Sequence, residues 1–444
     1  MISTKKLLIF GAGKSATSLI RYLLSHAASD NLEIIVADAN YKLAEEKISG
    51  HPSGKALALD ISDNSARKDV IAQSDIVISM MPPALHILVA KDCLEAGKNL
   101  LTASYADDAI RGLDAEVRSK GLLFLCEMGL DPGIDHMSAM QIIEHISSKG
   151  GKITSFFSHC GGLIAPESDD NPWHYKITWN PRNVVLAGKG GAKYLSDGIM
   201  KETGYLDLFD ASRQVATGNV ETPFLSYYPN RDSLPYIALY GLDYCRDFMR
   251  TTLRYPDFMR GWKTMIEYGF TDETIRYETQ GLSLAAFYQK HFQSRNLTIE
   301  QVVENNSTDF SSQLEFLGLY DHDTLINMGE VSIIDIMQFI LQKKLVLHEE
   351  DKDLVVMIHE FIYELDNKKH ALHSSLYLKG DDQLQTAMAK TVGLPLGIAA
   401  RMILQNKIRK TGVCIPLDKE IYEPVLSELK ALGIAFVESE NEIS

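Results

Sequence analysis

The sequence has neither a long uninterrupted apolar run nor clustered cysteines. It contains no run of about 18 apolar residues, the length that a membrane-spanning helix requires, and no signal peptide is expected at its start. Five cysteines are present among 444 residues, and no two of them have C-x-x-C spacing. An odd number of unclustered cysteines favours neither a disulfide framework nor a zinc site, and we expect a reducing cytoplasm.

Basic residues are scarce relative to acidic ones. The chain has 44 Lys and Arg against 59 Asp and Glu, a formal net charge of −15. Nucleic acids and anionic membranes bind basic surfaces, so we expect neither as a partner, whereas an anionic small molecule needs only a few local arginines. The motif H-E-x-x-H is absent, and His348 and His359 lack ligand spacing, so the sequence implies no metal.

What the sequence does contain is an alternation of strand and helix patterns over its first 126 residues. Six strands are predicted, at Leu7–Phe10, Glu33–Asp38, Lys55–Leu59, Asp75–Ser79, Asn99–Thr102 and Leu122–Cys126, with helical patterns between them. This alternation predicts an α/β fold that begins with a doubly wound parallel sheet of the Rossmann type. The 444 residues are enough for two or three domains.

The first strand is followed by a glycine-rich turn, Gly11-Ala12-Gly13-Lys14-Ser15-Ala16, with the pattern G-x-G-x-x-A. Gly11 permits a tight turn, Gly13 lets the backbone approach a pyrophosphate, and Ala16 is small enough for helix–strand contact. The helix that begins after Lys14 and Ser15 offers N–H groups to the phosphates. The turn therefore predicts dinucleotide binding, with a purely structural glycine turn as the alternative.

Two further strand ends carry predicted cofactor contacts. Asp38 ends the second strand, where a carboxylate binds the adenosine ribose and repels a 2′-phosphate, which favours NAD over NADP. Lys42 would weaken that repulsion, and capping of the next helix is compatible with both roles of Asp38. Ser79 and Met80 begin a proline-rich loop expected beside the nicotinamide half, and the nearby His86 is expected to be a surface or packing residue.

The sixth strand leads to the acidic residue around which the predicted site is organised. Asp131 followed by Pro132 indicates an N-cap with proline at the first helical position, opening a helix through about His145. Ligands bind at the carboxyl edge of open parallel sheets, and Ser104 and Tyr105, after the fifth strand, would face the same crevice. The alternatives are that Asp131 only caps the helix and that Tyr105 is an aromatic wall rather than a proton relay.

The pattern changes beyond residue 150. Ile153–Cys160 is predicted as a strand, and the irregular segment 163–176 is predicted as a binding loop. Further short strands are predicted at Ile177–Trp179, Val184–Ala187 and Phe224–Tyr228. A buried packing role suits Cys160 about as well as a site role. The glycines that follow it suggest a crowded backbone near a ligand, which favours the site.

Two arginines, Arg231 and Arg254, stand among turn or aromatic residues in this second half. The planar guanidinium group holds carboxylates through paired hydrogen bonds. One such arginine is usually a surface charge. Two of them in a domain that follows a nucleotide-binding half make a polycarboxylate substrate plausible.

The remaining patterns complete the domain organisation. Residues of about 245–380 are mostly helical by pattern, Thr386–Leu404 is an apolar small-residue helix, and a last helix and strand are predicted at Glu420–Leu432 and Ile434–Val437. We predict a dinucleotide-binding domain over residues 1–130 and a substrate-binding α+β domain over 131–385, with a helical subdomain over about 245–380. The C-terminal segment 386–444 is predicted to pack back towards the first domain.

With these residues in hand, the sequence resembles the glutamate-forming saccharopine dehydrogenases, or saccharopine reductases, over nearly its whole length. The resemblance is carried by the Gly-Ala-Gly turn, Thr102-Ala103-Ser104-Tyr105, Gly129-Leu130-Asp131-Pro132-Gly133-Ile134-Asp135-His136, Cys160-Gly161-Gly162 with Ala165-Pro166-Glu167, Asn171-Pro172 with Tyr175-Lys176, Asn230-Arg231-Asp232-Ser233, Thr252-Leu253-Arg254-Tyr255 and Ala389-Lys390-Thr391-Val392-Gly393-Leu394-Pro395. The chain departs from the family pattern at Ile164, usually proline, and at Trp173, commonly leucine; both are expected to face substrate.

The resemblance implies the roles of particular side chains. Saccharopine would be contacted by Ser104, Tyr105, Asp131, Arg231 and Arg254; Tyr105, Asp131 and Cys160 would surround the reacting amine; and Leu130 and Tyr175 lie in segments that help to hold the cofactor. Asp38 resembles the NAD-using pattern, with NADP as the alternative cofactor. A homodimer is also implied.

The expected reaction converts saccharopine, NAD and water into L-glutamate, 2-aminoadipate 6-semialdehyde and NADH. Asp131 would be the base or electrostatic anchor, and Tyr105 with Cys160 the proton relay. This account expects side chains from both halves of the sequence to converge on one cleft. The alternatives are a carboxyspermidine- or carboxynorspermidine-type dehydrogenase, whose pocket should be acidic, and a catalytically silent NAD-binding regulator.

Overall fold

The computed structural model describes residues 4–443. The chain folds into two compact units. Of the described residues, the first unit comprises 4–151 and Leu384–Val437, and the second comprises Lys152–Gln383 and 438–443.

The elements of the first 151 residues are β1 (Lys5–Phe10), α1 (Ala16–Asp30), β2 (Leu32–Asp38), α2 (Tyr41–Ile48), β3 (Gly54–Ala58), α3 (Asn64–Ala72), β4 (Ile76–Ser79), α4 (His86–Ala96), β5 (Asn99–Thr102), α5 (Asp108–Arg111), α6 (Asp114–Ser119), β6 (Leu123–Leu125) and α7 (Ile134–Ser148). The second unit then follows with β7 (Lys152–Ile164), α8 (Pro181–Val185), β8 (Ala192–Ser196), β9 (Ile199–Thr203), α9 (Tyr205–Leu208), β10 (Gln214–Ala216), β11 (Phe224–Pro229), β12 (Arg231–Asp232), α10 (Pro235–Leu239), β13 (Asp247–Arg254), α11 (Pro256–Glu267), β14 (Arg276–Glu278), α12 (Leu284–Gln293), α13 (Ile299–Asn305), α14 (Thr308–Phe316), β15 (Glu330–Ser332), α15 (Ile333–Lys344), β16 (Asp353–Leu365) and β17 (Lys368–Lys379). The chain ends with α16 (Ala387–Leu404), β18 (Gly412–Cys414), α17 (Lys419–Ala431) and β19 (Val437–Ile443).

The first unit is built on a seven-stranded parallel sheet in the order β18-β6-β5-β4-β1-β2-β3. The six strands predicted from the alternation are all present, and Leu7, Leu8 and Ile9 of the central strand β1 are completely buried. Strand order reverses between β1 and β4, which creates the crevice at the carboxyl ends of the strands where ligands bind in such sheets. The predicted α/β fold with a Rossmann-type sheet is therefore confirmed.

Helix α16 packs against α1 through small residues. A Cβ atom added to Gly393 would lie 2.8 Å from the backbone nitrogen of Leu19, and one added to Gly397 would lie 2.7 Å from the ring of Tyr22. By length and composition alone, α16 could span a membrane, but 72% of its 18-residue apolar window is buried inside the structure. The close approach between backbones requires glycine, and the helix belongs to the core of the first unit.

The first unit extends beyond the boundary at residue 130 that the sequence predicts. It ends at Gly151 and includes α7. This helix is held by α17, because the Tyr422 hydroxyl donates to the Glu144 carboxylate and the Lys419 ammonium lies 3.4 Å from the same group. The strand-to-helix connection after β6 therefore continues the first unit rather than opening the second.

The second unit contains a ten-stranded mixed sheet with the main order β10-β11-β13-β7-β16-β17-β19. The prediction of a mostly helical segment up to residue 380 is wrong for its last part, because β16 and β17 form a long antiparallel hairpin. Residues 354–358 are a fully buried apolar run, and the connecting Asp366 and Asn367 have φ angles of 52° and 62°, the conformation of a tight hairpin turn. The helical part ends at Lys344.

The segment between β7 and β8 also differs from its prediction. No strand forms at Ile177–Trp179, and Val184–Ala187 overlaps α8. The Asn180 side chain accepts a hydrogen bond from the Arg182 backbone at 3.0 Å, with proline at the next position, so this sequence is a helix start rather than a strand. The predicted Ile434–Val437 strand is replaced by β19, which begins at its last residue.

Candidate functional site

The glycine-rich turn after β1 is tight at one end and open at the other. Gly11 has a φ angle of 98°, and a Cβ atom there would lie 3.0 Å from the Met80 carbonyl oxygen. A Cβ atom added to Gly13 would meet no other atom of residues 4–443 within 4 Å. Gly11 is thus required by the turn itself, whereas the space at Gly13 leaves the backbone open to a phosphate group, so the residues present fit a dinucleotide.

The N-terminus of α1 begins directly after this open backbone. Ser15 occupies the N-cap position but makes no capping hydrogen bond through its side chain. Burial lowers the pKa values of both Lys14 and Lys47, and the Lys47 ammonium donates to the Thr17 hydroxyl at 2.6 Å. A helix N-terminus with two neighbouring cations favours an anion.

Asp38 links the end of β2 to the same turn. One of its carboxylate oxygens accepts from the Ala12 backbone nitrogen at 2.8 Å, and the other accepts from Asn40, also at 2.8 Å. The N-cap of α2 is Asn40, not Asp38. The carboxylate therefore places a negative charge beside the turn, at the position predicted for ribose recognition.

Asp131 and Tyr105 lie together at the carboxyl edge of the parallel sheet. The Tyr105 hydroxyl donates to Oδ1 of Asp131 at 3.4 Å. Both side chains are half-buried, so the pair is accessible. A carboxylate next to a phenol can accept and pass on a proton, which is the chemistry predicted for this edge.

The prediction that Asp131 caps a helix is wrong. Helix α7 begins at Ile134, and its N-cap is Gly133, with a φ angle of 148° that takes the backbone out of the helical conformation. The loop closes on itself, since Gly129 donates to the Pro132 carbonyl and Ile134 donates to the Gly129 carbonyl, both at 2.9 Å. The Asp131–Pro132 peptide bond is cis. Because Asp131 does not cap α7, its carboxylate accepts the hydrogen bond from the Tyr105 hydroxyl.

Leu130 is buried in this loop and contributes its backbone. Its side chain is 5% exposed, and its carbonyl accepts from the Asp135 nitrogen at 3.1 Å. The Asp135 carboxylate in turn accepts from the Gly133 nitrogen at 2.6 Å. A cofactor contact by Leu130, as the sequence predicts, would be made through the main chain.

Glu127, which no sequence pattern marks as a site residue, is a completely buried carboxylate that joins two site loops. Its Oε1 accepts from the Ala106 nitrogen at 3.2 Å and lies 3.4 Å from the Arg111 guanidinium, and its Oε2 lies 2.9 Å from Nε2 of His136. Ala106 follows Tyr105 directly. Glu127 therefore fixes the Tyr105 loop to the start of α7, a role that an isolated Glu in a sequence does not reveal.

His86 is the second residue whose role the sequence did not reveal. Its ring is 2% exposed, and its two nitrogens lie 2.8 Å from the hydroxyl oxygens of Ser79 and Ser104. Burial lowers the pKa of His86 to about 4, against a weaker opposing effect of Asp107. His86 is therefore a neutral buried residue that connects a predicted cofactor contact to a predicted substrate contact.

In the second unit, Cys160 lies in the middle of β7. It pairs with Thr252 of β13 on one side and with Met357 of β16 on the other, and its side chain is 5% exposed. The crowding expected after it is real but has a different cause. A Cβ atom on Gly161 would lie 2.7 Å from Leu253, so the neighbouring strand, not a ligand, requires the glycine.

The two predicted carboxylate-binding arginines have different environments. Arg254 is 4% exposed, stacks over the rings of Tyr175 and Phe258, and has no carboxylate partner among residues 4–443. Its Nη1 donates to the Leu253 carbonyl at 2.7 Å, whereas its buried Nε meets no hydrogen-bond acceptor within residues 4–443. Arg231 is exposed and has a φ angle of 54°. A buried guanidinium without a carboxylate suits an anionic ligand.

Several residues of the predicted binding loop are instead core residues. Trp173 and Ile164 are completely buried, and Nε1 of Trp173 donates to the Gln313 carbonyl at 2.9 Å. Tyr175 is 1% exposed, and its hydroxyl accepts from Trp179 at 3.0 Å. The expectation that Ile164 and Trp173 face substrate is therefore wrong, and a cofactor contact by Tyr175 would be made through its backbone.

The polar part of this loop borders a cavity of about 280 Å³ in the second unit. Its lining includes Asp169, His174, Tyr255 and Asp257. Nδ1 of His174 lies 2.6 Å from the Asp169 carboxylate, and this hydrogen bond raises the pKa of His174 despite its partial burial. Within residues 4–443, no group of three or more His, Cys, Asp or Glu side chains is arranged to hold a metal ion.

The first unit has the parallel doubly wound sheet and the open glycine turn of dinucleotide-binding proteins, with a carboxylate at the end of β2. A phenol–carboxylate pair lies at the same edge of the sheet. Together these features define a dinucleotide-dependent oxidoreductase. The family model for the saccharopine dehydrogenase NADP binding domain matches residues 7–125, and that for the saccharopine dehydrogenase C-terminal domain matches residues 129–434. The chain belongs to the saccharopine dehydrogenase family. It is an oxidoreductase of this family, and its cofactor is NAD(P).

Relatives with this architecture match along nearly the whole chain. Glutamate-forming, NADP(+)-dependent saccharopine dehydrogenase of Saccharomyces cerevisiae is 31% identical over 96% of this chain and 97% of that protein, and its Pyricularia oryzae counterpart is 30% identical over 97% of each. A solved structure of the apo yeast enzyme has a TM-score of 0.85 and covers 98% of this chain and 100% of that one. Alpha-aminoadipic semialdehyde synthase of Arabidopsis thaliana is 34% identical over 92% of this chain, which spans 41% of that longer protein.

Proposed function

We propose that this protein is a glutamate-forming saccharopine dehydrogenase. It oxidises the secondary amine of saccharopine to an imine, which water converts into L-glutamate and 2-aminoadipate 6-semialdehyde in lysine metabolism. The proposal is supported by the activity named for the yeast and Pyricularia relatives. The observation that carries it in this chain is the Tyr105–Asp131 pair at the carboxyl edge of a dinucleotide-binding sheet.

The reaction needs a neutral amine, because a protonated amine that lost hydride would become a dication. NAD(P) supplies the hydride acceptor. Asp131 is the group that draws the proton from the amine or stabilises the iminium charge, and Tyr105 relays the proton through its hydroxyl. In the second unit, Cys160 is proposed as a further relay group, and Arg231 and Arg254 as carboxylate ligands that orient the substrate.

Cofactor choice is the finer part of the proposal. Asp38 holds a negative charge beside the glycine turn, which disfavours a 2′-phosphate, so NAD is the proposed preferred cofactor and NADP the alternative. The relatives above are named as NADP(+)-dependent. A direct comparison of the two cofactors decides this point.

A homodimer in the cytoplasm is the proposed state, with small-molecule substrates and neither nucleic acid nor membrane as partner. The support for the compartment is that, among residues 4–443, which include all five cysteines, no disulfide bond forms. The size of the assembly is measured by light scattering after gel filtration. A monomer would contradict the homodimer.

The function is tested by following reduced cofactor at 340 nm with saccharopine, and separately with carboxyspermidine and carboxynorspermidine. We expect NADH or NADPH formation with saccharopine and release of L-glutamate in equal amount. Preferential turnover of a carboxylated polyamine would indicate a carboxyspermidine- or carboxynorspermidine-type dehydrogenase instead. Tight cofactor binding without turnover of any of the three would indicate a silent NAD-binding protein.

A further inference from the structure

Ser79, His86 and Ser104 form a continuous hydrogen-bonded chain along the carboxyl edge of the parallel sheet. The Ser79 hydroxyl, at the end of β4, lies 2.8 Å from Nδ1 of His86, and Nε2 of the same ring lies 2.8 Å from the Ser104 hydroxyl, just after β5. Thr102 supports the arrangement, since its hydroxyl accepts from the Ser104 backbone nitrogen at 3.2 Å and lies 3.3 Å from Nε2.

The hydrogen bonds of this Ser79–His86–Ser104 chain have a direction because the imidazole ring is neutral. A neutral ring carries one N–H and one lone pair, so it donates to one serine and accepts from the other. If Nε2 carries the proton, the Ser104 oxygen accepts from the ring and its hydroxyl proton is available to a ligand. If Nδ1 carries the proton, the Ser104 hydroxyl donates to Nε2 and cannot donate to a ligand.

The class of substrate selects between these two arrangements. A carboxylate only accepts hydrogen bonds, so a serine that contacts it must donate. Ser104 can donate to a carboxylate when Nε2 of His86 is protonated and Nδ1 accepts from Ser79. The Ser79 oxygen then keeps lone pairs that can accept from a cofactor amide or hydroxyl group.

We propose that His86 is a positioning residue that directs the Ser104 hydroxyl towards a substrate carboxylate and couples it to Ser79 on the cofactor side. The inference deepens the proposed function, on which it rests, by assigning a role to a residue outside the predicted set. His86 itself touches neither substrate nor cofactor and acts through the two serines.

His291 provides a matched control in the same chain. It is also completely buried with a pKa lowered to about 4 by burial, and its ring nitrogens bond to the Tyr277 hydroxyl at 2.8 Å and the Tyr268 carbonyl at 2.9 Å. Both partners lie in the helical core of the second unit. Substitution of His291 therefore reports the effect on kinetics of losing a buried bridging histidine that lies outside the predicted site.

The kinetic test compares H86L, H86Q, S104A, the double variant H86L/S104A and the control H291Q, using wild-type turnover of saccharopine as the reference. We expect H86L to raise the KM for saccharopine roughly tenfold, with a smaller change in kcat, and H86Q to restore part of the loss through its amide donor. Because His86 acts through Ser104, the double variant should be no worse than S104A. H291Q should leave the KM unchanged.

An unchanged KM in folded H86L, or additive effects in the double variant, would overturn the proposal while leaving the proposed function intact. No turnover of saccharopine by the wild type would reject the proposed function instead. If H86L does not fold, the tautomer of His86 in the wild type decides the matter. Nitrogen-15 spectra of histidine-labelled protein, assigned by comparison with H86Q, should show protonated Nε2, and protonated Nδ1 would overturn the inference.

Discussion

The Tyr105 hydroxyl donates to Oδ1 of Asp131 at 3.4 Å, although the two residues are 26 positions apart in the chain. Two backbone hydrogen bonds hold their loops in register: Glu127 donates to the Ser104 carbonyl at 3.0 Å, and Met128 donates to the Thr102 carbonyl at 3.1 Å. The pair is thus a direct consequence of adjacent parallel strands β5 and β6, whose carboxyl ends must meet at one edge.

Substitution of the Glu127 side chain tests whether its link between the Tyr105 loop and the start of α7 matters for catalysis. E127Q keeps an acceptor for the Ala106 nitrogen but removes the charge beside His136 and Arg111. We expect kcat to fall about tenfold and the free energy of unfolding to fall by about 1–3 kcal/mol. Steady-state kinetics and denaturant unfolding measure the two effects. A destabilised variant with wild-type kcat would show that the carboxylate serves the fold alone.

Cofactor choice should depend on the charge of Asp38. D38N retains an acceptor for the Ala12 nitrogen but loses the charge that repels a 2′-phosphate, so the ratio of kcat/KM for NADP to that for NAD should rise about tenfold. The exposed Lys42 provides the opposite control, since K42A should lower the same ratio. An unchanged ratio in D38N would mean that Asp38 only anchors the turn.

The buried position of Trp173 predicts a stability effect without a catalytic one. W173L leaves a cavity and removes the indole hydrogen bond to the Gln313 carbonyl, so the free energy of unfolding should fall by about 2–4 kcal/mol. W262L removes a similar volume at a tryptophan whose Nε1 makes no hydrogen bond to any described residue, and it should lower the free energy of unfolding by less. A large change in the KM for saccharopine in W173L would restore the substrate-facing role.

Acid should destabilise the protein through its buried histidines. Burial lowers the pKa of His291 from 6.5 to about 4, so the unfolded chain binds more protons between these values and stability falls as pH falls. The contribution lost between pH 7 and pH 5 is roughly 2 kcal/mol. Urea unfolding at the two pH values measures it, and H291Q should have a smaller pH dependence than the wild type. An equal dependence would contradict the neutral buried state of His291.

The parallel sheet of the first unit could be predicted because each of its strands β1 to β6 is indicated by a local sequence pattern. The apolar runs of β1 to β6 and the glycine turn are short-range signals, and the β-α-β rule converts them into a topology. Strand β18 could not be found in this way. It has only three residues, and it pairs with β6, which precedes it by almost 290 positions.

Site residues that directly follow a predicted strand could be predicted from the sequence, and other site residues could not. Ser104, Tyr105 and Asp131 follow predicted strands, so topology brings them to one edge. The bridging position of His86 depends on the spacing between β4 and β5 and on the entry angle of α4, which no local pattern encodes. The lack of periodicity in the loop before α8 predicts a contact with ligand, but the aromatic side chains of this loop fill the helical core instead.

The central claim is that Asp131 acts on the reacting amine at the edge of a dinucleotide-binding sheet. The most direct test is kcat for saccharopine oxidation in wild type and D131N, together with the dissociation constant for reduced cofactor from fluorescence titration. We expect kcat to fall by about 10²-fold or more while cofactor affinity changes less than threefold. Wild-type turnover in D131N would contradict the account.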